Sequence, residues 1–195
     1  MMAIQIEPLT SQPPNLPTPI HIRLMRLEDL EQVHAIDRMS FGIPWPENSY
    51  RYELLENPRS LPLVVETNPP EGARQVIAVI VIWLIEDEAH IATLSVHPDY
   101  RGQGVSKELL AAALIEAIHA GMRTATLEVR ANNHIAQALY RRFRFEIYGR
   151  RPHYYRDNNE DALIMSIEGL DVHYLKWLES GAWKNNIPSE EEVWS

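Results

Sequence analysis

The chain has 195 residues, of which 45% are hydrophobic, and this length and composition suit one domain with a sizeable core and tails. Its formal net charge of −9 argues against a general nucleic-acid-binding surface and is compatible with a basic protein partner. The absence of cysteine excludes disulfides, thiolate nucleophiles and thiolate metal sites. No stretch is apolar enough to cross a membrane and no export signal is visible, so we expect a cytoplasmic protein that does not bind membranes.

The first 19 residues form a proline-rich leader. Five prolines stand among small polar residues, and Lys and Arg are absent from this segment. The composition predicts an extended, poorly ordered stretch, and we expect residues 1–19 to lie outside the fold.

From residue 20 onward, the spacing of apolar residues predicts a β-α-α-β-β-β-α-β-α-β-β order with no internal repeat. Residues 76–85 form a nearly continuous apolar run, which is typical of a central strand buried on both faces. Strands are predicted at residues 20–27, 61–66, 76–85, 90–96, 124–130, 145–148 and 162–167, turns at 68–72 and 86–88, and a polar loop at 150–161. Helices are predicted from residue 28, at 50–56, from 105 to about Gly121, and at 135–143 after Asn132 and Asn133 as caps. These elements predict an α/β domain at residues 20–168 with a mixed sheet and one parallel crossover.

Two further segments leave alternatives open. Trp45 lies between prolines in the loop at residues 41–50, and an aromatic side chain there suits either the core or a substrate groove. In the extension at residues 169–195, Val172, Leu175 and Leu178 have helical spacing, and Trp183, Trp194 and an acidic run at 190–192 follow. We expect this helix to dock on the domain's own surface, with partner binding as the alternative.

The stretch from Leu94 to Ser106 has the pattern of an anion-binding turn. It joins a strand end to a long helix and carries Gly102 and Gly104. Glycine tolerates positive φ, and a helix N-terminus presents unpaired N–H groups at the positive end of its dipole. The pattern indicates a phosphate or pyrophosphate site, while an ordinary strand-turn-helix connection explains the glycines equally well.

Near this turn, Glu128 is the candidate base and Tyr140 is the candidate acid. Glu128 lies on the strand at 124–130, on the face opposite Leu127 and Val129, where a carboxylate can act as a base. A tyrosine at position 140 can donate a proton, because its reference pKa of about 10 keeps it protonated at neutral pH. Spacing alone leaves structural roles open: Glu128 as an ion-pair partner of Arg130 or Arg101, and Tyr140 as a core aromatic.

With these residues in place, the chain from about residue 20 to 167 resembles the GNAT superfamily of acetyl-CoA-dependent N-acetyltransferases. Its pyrophosphate-loop pattern, Gln/Arg-x-x-Gly-x-Gly/Ala, is matched by Arg101-x-x-Gly104-x-Ser106. Similarity to the ribosomal-protein-alanine N-acetyltransferase branch lies in Leu127-Glu-Val-Arg-Ala-Asn-Asn133, Ala138-Leu-Tyr140, Phe145 and Pro44-Trp45. A pattern shared by protein N-terminal acetyltransferases more broadly lies in Arg150-Arg-Pro-His-Tyr-Tyr155, Asp161-Ala162 and Met165.

This resemblance implies an α/β (α+β) fold with a mostly antiparallel sheet of about seven strands, a parallel crossover and flanking helices. It implies Glu128 as general base and Tyr140 as general acid, with acetyl-CoA as the acetyl donor. The residues implied to contact the coenzyme are Leu94, Ser95, Val96, Arg101, Gly102, Gln103, Gly104, Val105, Ser106, Lys107 and Asn133. Tyr154 and Tyr155 would hold a peptide backbone, and Trp45 would line the same groove.

Three positions depart from the family pattern. Ser106 replaces the usual Gly or Ala and adds a hydroxyl near the pyrophosphate. Arg144 stands where a glycine normally precedes the phenylalanine, so we expect the end of that helix to be built differently. Arg156 follows the tyrosine pair where proline is common.

A protein N-terminal α-amine is the acceptor that the chemistry favours. At pH 7 its deprotonation costs about 1 kcal/mol from a pKa near 7.8, against about 4.6 kcal/mol for a lysine side chain near 10.4. Lysine stays open, because burial lowers its pKa. The leading hypothesis is acetylation of a ribosomal protein that begins with alanine, by direct attack and without a metal. The alternatives are a small-molecule amine as acceptor, and a non-catalytic acyl-CoA-binding module, against which the presence of both Glu128 and Tyr140 argues. His153 is expected to be an exposed loop residue, with the substrate mouth as its alternative place.

Overall fold

One mixed sheet with helices on both faces makes up the computed structural model, which describes residues 9–11, 13, 16, 18–68 and 73–185. The strands are β1 (Leu9–Ser11), β2 (Ile20–Leu24), β3 (Ser60–Thr67), β4 (Gln75–Ile85), β5 (Glu88–Val96), β6 (Thr124–Arg130), β7 (Glu146–Tyr155) and β8 (Glu160–Glu168). The helices are α1 (Leu30–Ser40), α2 (Ser49–Leu55), α3 (Val105–His119), α4 (His134–Arg142) and α5 (Val172–Glu179).

The sheet order is β1-β2-β3-β4-β5-β6-β8-β7, and among these described strands only the β5–β6 pair is parallel. This confirms the predicted mixed, mostly antiparallel sheet with one parallel crossover, made by α3. The sheet has eight strands within the described residues, where about seven were predicted.

The two faces of β4 explain its continuous apolar sequence. Ile80 and Ile82 belong to the core cluster that includes α3, whereas Val79 and Val81 pack with Val33 of α1 and its neighbours in a second cluster. Residues 76–82 are all buried, which confirms the prediction of a central strand buried on both faces. No helix in the part of the chain that the structure describes is long and apolar enough to span a membrane.

The leader differs from its prediction. Leu9–Ser11 pairs antiparallel with β2, and Leu16 is only 5% exposed within the core cluster of α3. The expectation that all of residues 1–19 lie outside the fold is therefore wrong for these positions. Without β1, β2 would present unpaired backbone groups along its edge, and the proline-free residues 9–11 can supply the missing hydrogen bonds.

The strand predicted at residues 145–148 is longer in the structure. Strand β7 runs to Tyr155, through the first half of the region that was predicted as a polar loop, and its register with β8 shifts twice. His153 is exposed on this strand, as expected for its side chain, and has a φ of +53°. Such irregularities break the alternation of apolar and polar residues, so the sequence pattern did not show the strand. The turn predicted at 68–72 lies mostly outside the described residues.

The C-terminal extension packs back onto the domain. Tyr174 and Leu178 of α5 are buried in the core cluster of α3, and the Tyr174 hydroxyl donates to the carbonyl of Phe143 at 2.7 Å. Trp183 is 3% exposed. The prediction that this helix docks on the domain's own surface is confirmed as far as residue 185; Trp194 and the acidic run at 190–192 lie outside the described residues.

Helix α4 ends in a left-handed residue, although that residue is an arginine. Arg144 has a φ of +65°, and the next N–H, of Phe145, donates to the carbonyl of Tyr140 at 3.1 Å. This is the helix ending that glycine normally provides, so the expectation of a differently built end is wrong. The Arg144 guanidinium lies 4.4 Å from the ring centre of Trp177, a residue of α5.

Candidate active site

The two parallel strands separate beside Glu128. Pairing between β5 and β6 extends from Glu88 and Thr124 to Ile91 and Leu127, and both strands then continue without pairing to each other. An irregularity in the β4–β5 register, between Val81 and Ile82, lies at the same level. The sheet is thus open between the carboxyl ends of β5 and β6, the edge where open α/β sheets place their ligands.

The predicted anion-binding turn follows β5 directly. Gly102 and Gly104 have φ values of +73° and +91°, and Gly104 is the N-cap of α3. The N–H groups of Lys107 and Glu108 donate to the Gly104 carbonyl, whereas those of Val105 and Ser106 precede the first helical acceptors. The backbone of this turn can therefore donate to an anion at the positive end of the helix dipole.

Arg101 and Gln103 brace the turn with their side chains. Arg101 Nε donates to the Val96 carbonyl at 2.9 Å, and its Nη2 donates to Ser40 Oγ at 3.0 Å. Gln103 Nε2 donates to the Asp99 carbonyl at 2.7 Å. These two residues shape the loop, which leaves anion binding to the backbone and to nearby cations.

Positive charge gathers at the start of α3. Burial lowers the pKa of Lys107 below its ordinary value, and the neighbouring charge of Arg142 lowers it further, with Glu108 opposing. A bound anion would relieve the mutual repulsion of the two cations. The turn is also closely covered, because a Cβ added to Gly104 would lie 3.7 Å from Pro13 Cβ of the leader.

Glu128 is held between two basic side chains, neither of which was considered as its partner from the sequence. Its Oε1 lies 3.2 Å from Arg151 Nη2 on β7, and its Oε2 lies 3.4 Å from His90 Nε2 on β5. The Glu128 side chain is 11% exposed, whereas that of Arg151 is 53% exposed. The carboxylate is fixed on a rigid strand at the point where the sheet opens.

Tyr140 is buried, and its hydroxyl makes no hydrogen bond to another described residue. Burial raises the pKa of Tyr140 above its ordinary value, and the nearby Tyr155 adds to the effect. Burial also raises the pKa of Tyr155 to about 12, with Arg130 opposing and with Tyr154, Glu128 and Glu160 adding smaller contributions. Tyr155 thus interacts electrostatically with both candidate catalytic residues, Glu128 and Tyr140.

The tyrosine pair has a rigid support. The guanidinium of Arg130 lies 3.9 Å from the ring centre of Tyr155 and is held by Asp157 at 2.6 Å and Glu160 at 3.3 Å. Tyr154 packs edge-on against Tyr155 and is 44% exposed. Arg156 is exposed in the turn that follows.

Trp45 and Asn133 each have a structural role in the described part of the chain. The Trp45 ring lies 5.0 Å from that of Tyr50, and the backbone N–H of Trp45 donates to the buried carboxylate of Asp37 at 2.7 Å. Its partial burial leaves one side available to the adjoining loop. Asn133 Oδ1 accepts from the Ala136 N–H at 3.1 Å, which confirms the predicted helix cap.

The loops that carry Trp45 and the tyrosine pair touch each other. A Cβ added to Gly42 would lie 2.7 Å from the Asp157 carboxylate, so only glycine allows this approach without a shift. The α1–α2 loop and the β7–β8 turn therefore meet beside the carboxyl end of β6, whose last residue, Arg130, binds Asp157.

Comparison with known proteins gives this geometry a family. The sequence profile of the acetyltransferase (GNAT) family matches residues 30–145. The chain belongs to the GNAT acetyltransferase family. It is 31% identical over 148 residues to the ribosomal protein bS18-alanine N-acetyltransferase of Escherichia coli K12, covering 75% of this chain and 95% of that protein. A Bacillus subtilis protein whose assignment to the same activity is provisional is 40% identical over 144 residues, covering 74% and 92%. The crystal structure of the Escherichia coli ribosomal-protein-S18-alanine N-acetyltransferase superposes with a TM-score of 0.69 at 30% identity, over 76% of this chain and 93% of that one.

As a GNAT acetyltransferase, the chain carries two residues at its site that the sequence did not single out, His90 and Arg151. On β5, Glu88 and His90 lie two residues apart and therefore share a face of the sheet. The same holds for Thr126 and Glu128 on β6. That alternation on neighbouring parallel strands was visible in the sequence. Their register was not, because it depends on where the two strands begin to pair.

Proposed function

We propose that this GNAT enzyme transfers an acetyl group from acetyl-CoA to the N-terminal α-amine of a protein, with a ribosomal protein that begins with alanine as its substrate. The position of Glu128, beside the point where β5 and β6 separate and at the end of the sheet that carries the anion-binding turn, is the observation that supports it most. Relatives that this chain matches over more than nine tenths of their length are named for that activity on ribosomal protein bS18.

The residues present fit a coenzyme A molecule. The turn at Gly102 and Gly104 and the start of α3 offer N–H donors, with Lys107 nearby as a cation, for the pyrophosphate. Ser95 Oγ is buried without a hydrogen-bond partner among the described residues, on the part of β5 that is not paired with β6. Leu94 and Val96 lie on the same unpaired part of β5, and Asn133 follows the end of β6, which supports the coenzyme contacts assigned to them. Arg101 and Gln103 would act on the coenzyme indirectly, because their side chains brace the turn.

In the proposed mechanism, acetyl-CoA supplies an activated acetyl thioester. Residues of this chain accept and donate the protons that the transfer requires. Glu128, whose carboxylate is fixed at the opening, accepts a proton from the ammonium form of the acceptor and so frees the neutral amine to attack. Tyr140 keeps its proton at neutral pH, since burial raises its pKa, and its hydroxyl is the donor for the leaving thiolate. N–H groups on the unpaired side of β5 near Val96 can polarise a carbonyl.

The acceptor peptide would lie between the Trp45 loop and the tyrosine pair. Tyr154 and Tyr155 offer hydroxyl groups and ring surfaces at the end of β7, and the salt bridges of Arg130 keep Tyr155 in place. A protein substrate that is basic suits the net charge of −9, although that charge selects no single partner.

A small-molecule amine is the second candidate acceptor, and one contact favours it. The approach of Gly42 to Asp157 joins the two loops beside the carboxyl end of β6, which narrows the path for a peptide. Binding of a peptide substrate therefore requires either that these two loops separate or that the peptide enter the site beside them.

The test is an acetylation assay with acetyl-CoA and peptides that differ in their first residue, beside lysine peptides with blocked N-termini and polyamines. We expect turnover at the terminal amine, highest for alanine. Turnover with polyamines alone would establish the second candidate. Coenzyme binding without turnover of any amine would contradict both and indicate a non-catalytic acyl-CoA-binding module.

The assigned roles of Glu128 and Tyr140 are tested by Glu128→Gln and Tyr140→Phe. Each substitution removes one proton-transfer group without much change of shape, so kcat should fall by about 10²-fold or more. Coenzyme affinity, measured by isothermal titration calorimetry, should stay close to that of the unchanged protein. Tyr148→Phe is the matched control, because Tyr148 is 81% exposed. Full rates in both variants would refute these roles.

A further inference from the structure

His90 connects Glu128 to a chain of hydrogen bonds that leads away from the opening. Its Nε2 lies 3.4 Å from Glu128 Oε2, and its Nδ1 lies 3.2 Å from Thr126 Oγ1. Thr126 Oγ1 in turn donates to Glu88 Oε1 at 2.8 Å. The order Glu128, His90, Thr126, Glu88 thus runs across β5 and β6, from just beyond the four-residue stretch where the two strands pair to the start of that stretch.

The imidazole ring is held in place on its flat side. It stacks on Trp83 of β4 with ring centres 5.5 Å apart and an angle of 18° between the planes. Trp83 is fixed because its Nε1 donates to Glu53 Oε2 at 3.0 Å. This stacking therefore holds the His90 ring in an orientation in which Nε2 faces Glu128 and Nδ1 faces Thr126.

The single proton of the Thr126 hydroxyl determines the tautomer of His90. That proton is donated to Glu88, so the contact between Thr126 Oγ1 and His90 Nδ1 requires a proton on Nδ1. A neutral imidazole with Nδ1 protonated has a lone pair on Nε2. This lone pair faces Glu128 Oε2, itself an acceptor when ionised.

An acceptor that faces a carboxylate can take the proton which the carboxylate receives. We propose that His90 accepts, through Nε2, the proton that Glu128 removes from the substrate ammonium, an inference that rests on the proposed function. An N–H bond of the ammonium breaks as an O–H bond forms on Glu128; that O–H bond then breaks as an N–H bond forms on His90. Glu128 is again a carboxylate, and the proton leaves to water from the ring, which is 21% exposed.

The charged groups around His90 support this step. Glu88 on its own strand and Glu128 on β6 are negative, and Glu53 of α2 lies behind Trp83. Arg151 of β7 is positively charged, and it binds the other oxygen of Glu128. The ring thus lies between two carboxylates, with Glu128 facing Nε2 directly and Glu88 linked to Nδ1 through Thr126. His90 acts through Glu128, as a positioning and proton-accepting residue behind the base.

The test compares His90→Gln with His173→Gln in the acetylation assay with the best peptide. Glutamine can still hydrogen-bond to Glu128 but cannot take up a proton at neutral pH. We expect kcat to fall about 10- to 100-fold, with little change in the KM for peptide or coenzyme. His173 is exposed at the start of α5, so its variant should match the unchanged protein.

Two variants of Thr126 test the link to Glu88 independently. Thr126→Val removes the hydroxyl and should lower kcat, whereas Thr126→Ser keeps the hydroxyl and should restore most of it. Side-chain ¹⁵N NMR should show His90 protonated at Nδ1 and bare at Nε2 in the unchanged protein, and a loss of this preference in Thr126→Val. A role in packing alone would not tie the tautomer to the hydroxyl.

Each result decides the question. Unchanged kcat in His90→Gln, with an active unchanged protein, overturns the relay and leaves the proposed function standing. A His90 protonated at Nε2 in the resting protein overturns it as well. If the unchanged protein acetylates no amine, the proposed function and the relay that rests on it both fail.

Discussion

Glu128 has one basic neighbour on each of its oxygens, and the two neighbours act differently. Arg151 is permanently charged and more than half exposed, so its ion pair contributes little to stability and mainly orients the carboxylate. His90 can be neutral or charged and is largely covered by Trp83. A permanently charged guanidinium cannot take up a proton from Glu128, whereas an imidazole can.

Arg144 illustrates how one residue can replace glycine. A left-handed backbone costs a non-glycine residue about 1 to 2 kcal/mol. Its guanidinium lies over Trp177 and near Tyr174, and a cation–π contact of this kind returns about 0.5 to 1 kcal/mol. The tail helix α5 therefore supplies the aromatic surface that offsets part of the strain.

This balance predicts opposite results for two substitutions of Arg144. Arg144→Ala keeps the strained backbone and loses the aromatic contact, so the free energy of unfolding should fall by about 0.5 to 1 kcal/mol. Arg144→Gly relieves the strain and should leave stability equal or higher. Urea unfolding gives both values, with Arg141→Ala, exposed on α4, as the control. A glycine variant less stable than the alanine variant would contradict this account.

At the scale of elements, the leader is part of the sheet and of the core. Leu16 lies 5% exposed among residues of α3 and the neighbouring strands, whereas Leu9 is 41% exposed on β1. Leu16→Ala should lower the free energy of unfolding by about 2 to 4 kcal/mol, because it removes buried methyl groups and leaves a cavity. Leu9→Ala is the matched control, and an equal loss in both variants in urea unfolding would show that the leader is not anchored through Leu16.

The elements also show what the sequence could predict. Long, regularly patterned segments such as α3, β4 and β6 were predicted nearly to the residue, because their apolar spacing reflects burial directly. Strand β7 was cut short because two register shifts hide its alternation, and β1 was missed because proline-rich composition outweighed three residues that pair with β2. The glycine turn and Glu128 were found because each is marked by a short continuous stretch of sequence. His90 and Arg151 reach Glu128 from other strands, so only the register could reveal them.

For the molecule as a whole, buried tyrosines set the stability at high pH. Burial raises the pKa of Tyr50, Tyr140 and Tyr174 above the ordinary value, which is about 10 in an unfolded chain. Above that pH the unfolded chain loses protons that the folded protein keeps, so unfolding becomes easier as pH rises. Stability is therefore retained below pH 10 and falls above it, by up to about 1.4 kcal/mol per pH unit for each tyrosine.

Urea unfolding between pH 8 and 11 measures this slope. Tyr174→Phe removes one ionisable hydroxyl and should make the decline above pH 10 shallower, while Tyr148→Phe, whose side chain is 81% exposed, should leave it unchanged. A slope that is the same in both variants would mean that the burial of Tyr174 does not govern its ionisation.

The separation of β5 from β6 has a consequence for solubility. Each strand turns an unpaired edge toward the other, from Ala92 on one side and Glu128 on the other. Strand edges are templates for association between chains, and here two of them line an opening in the middle of the sheet. A ligand lodged between them would shield these edges from other copies of the protein. The enzyme without a ligand should accordingly aggregate at a lower temperature than the enzyme with coenzyme A bound. Light scattering during heating, with and without coenzyme A, measures the two aggregation temperatures.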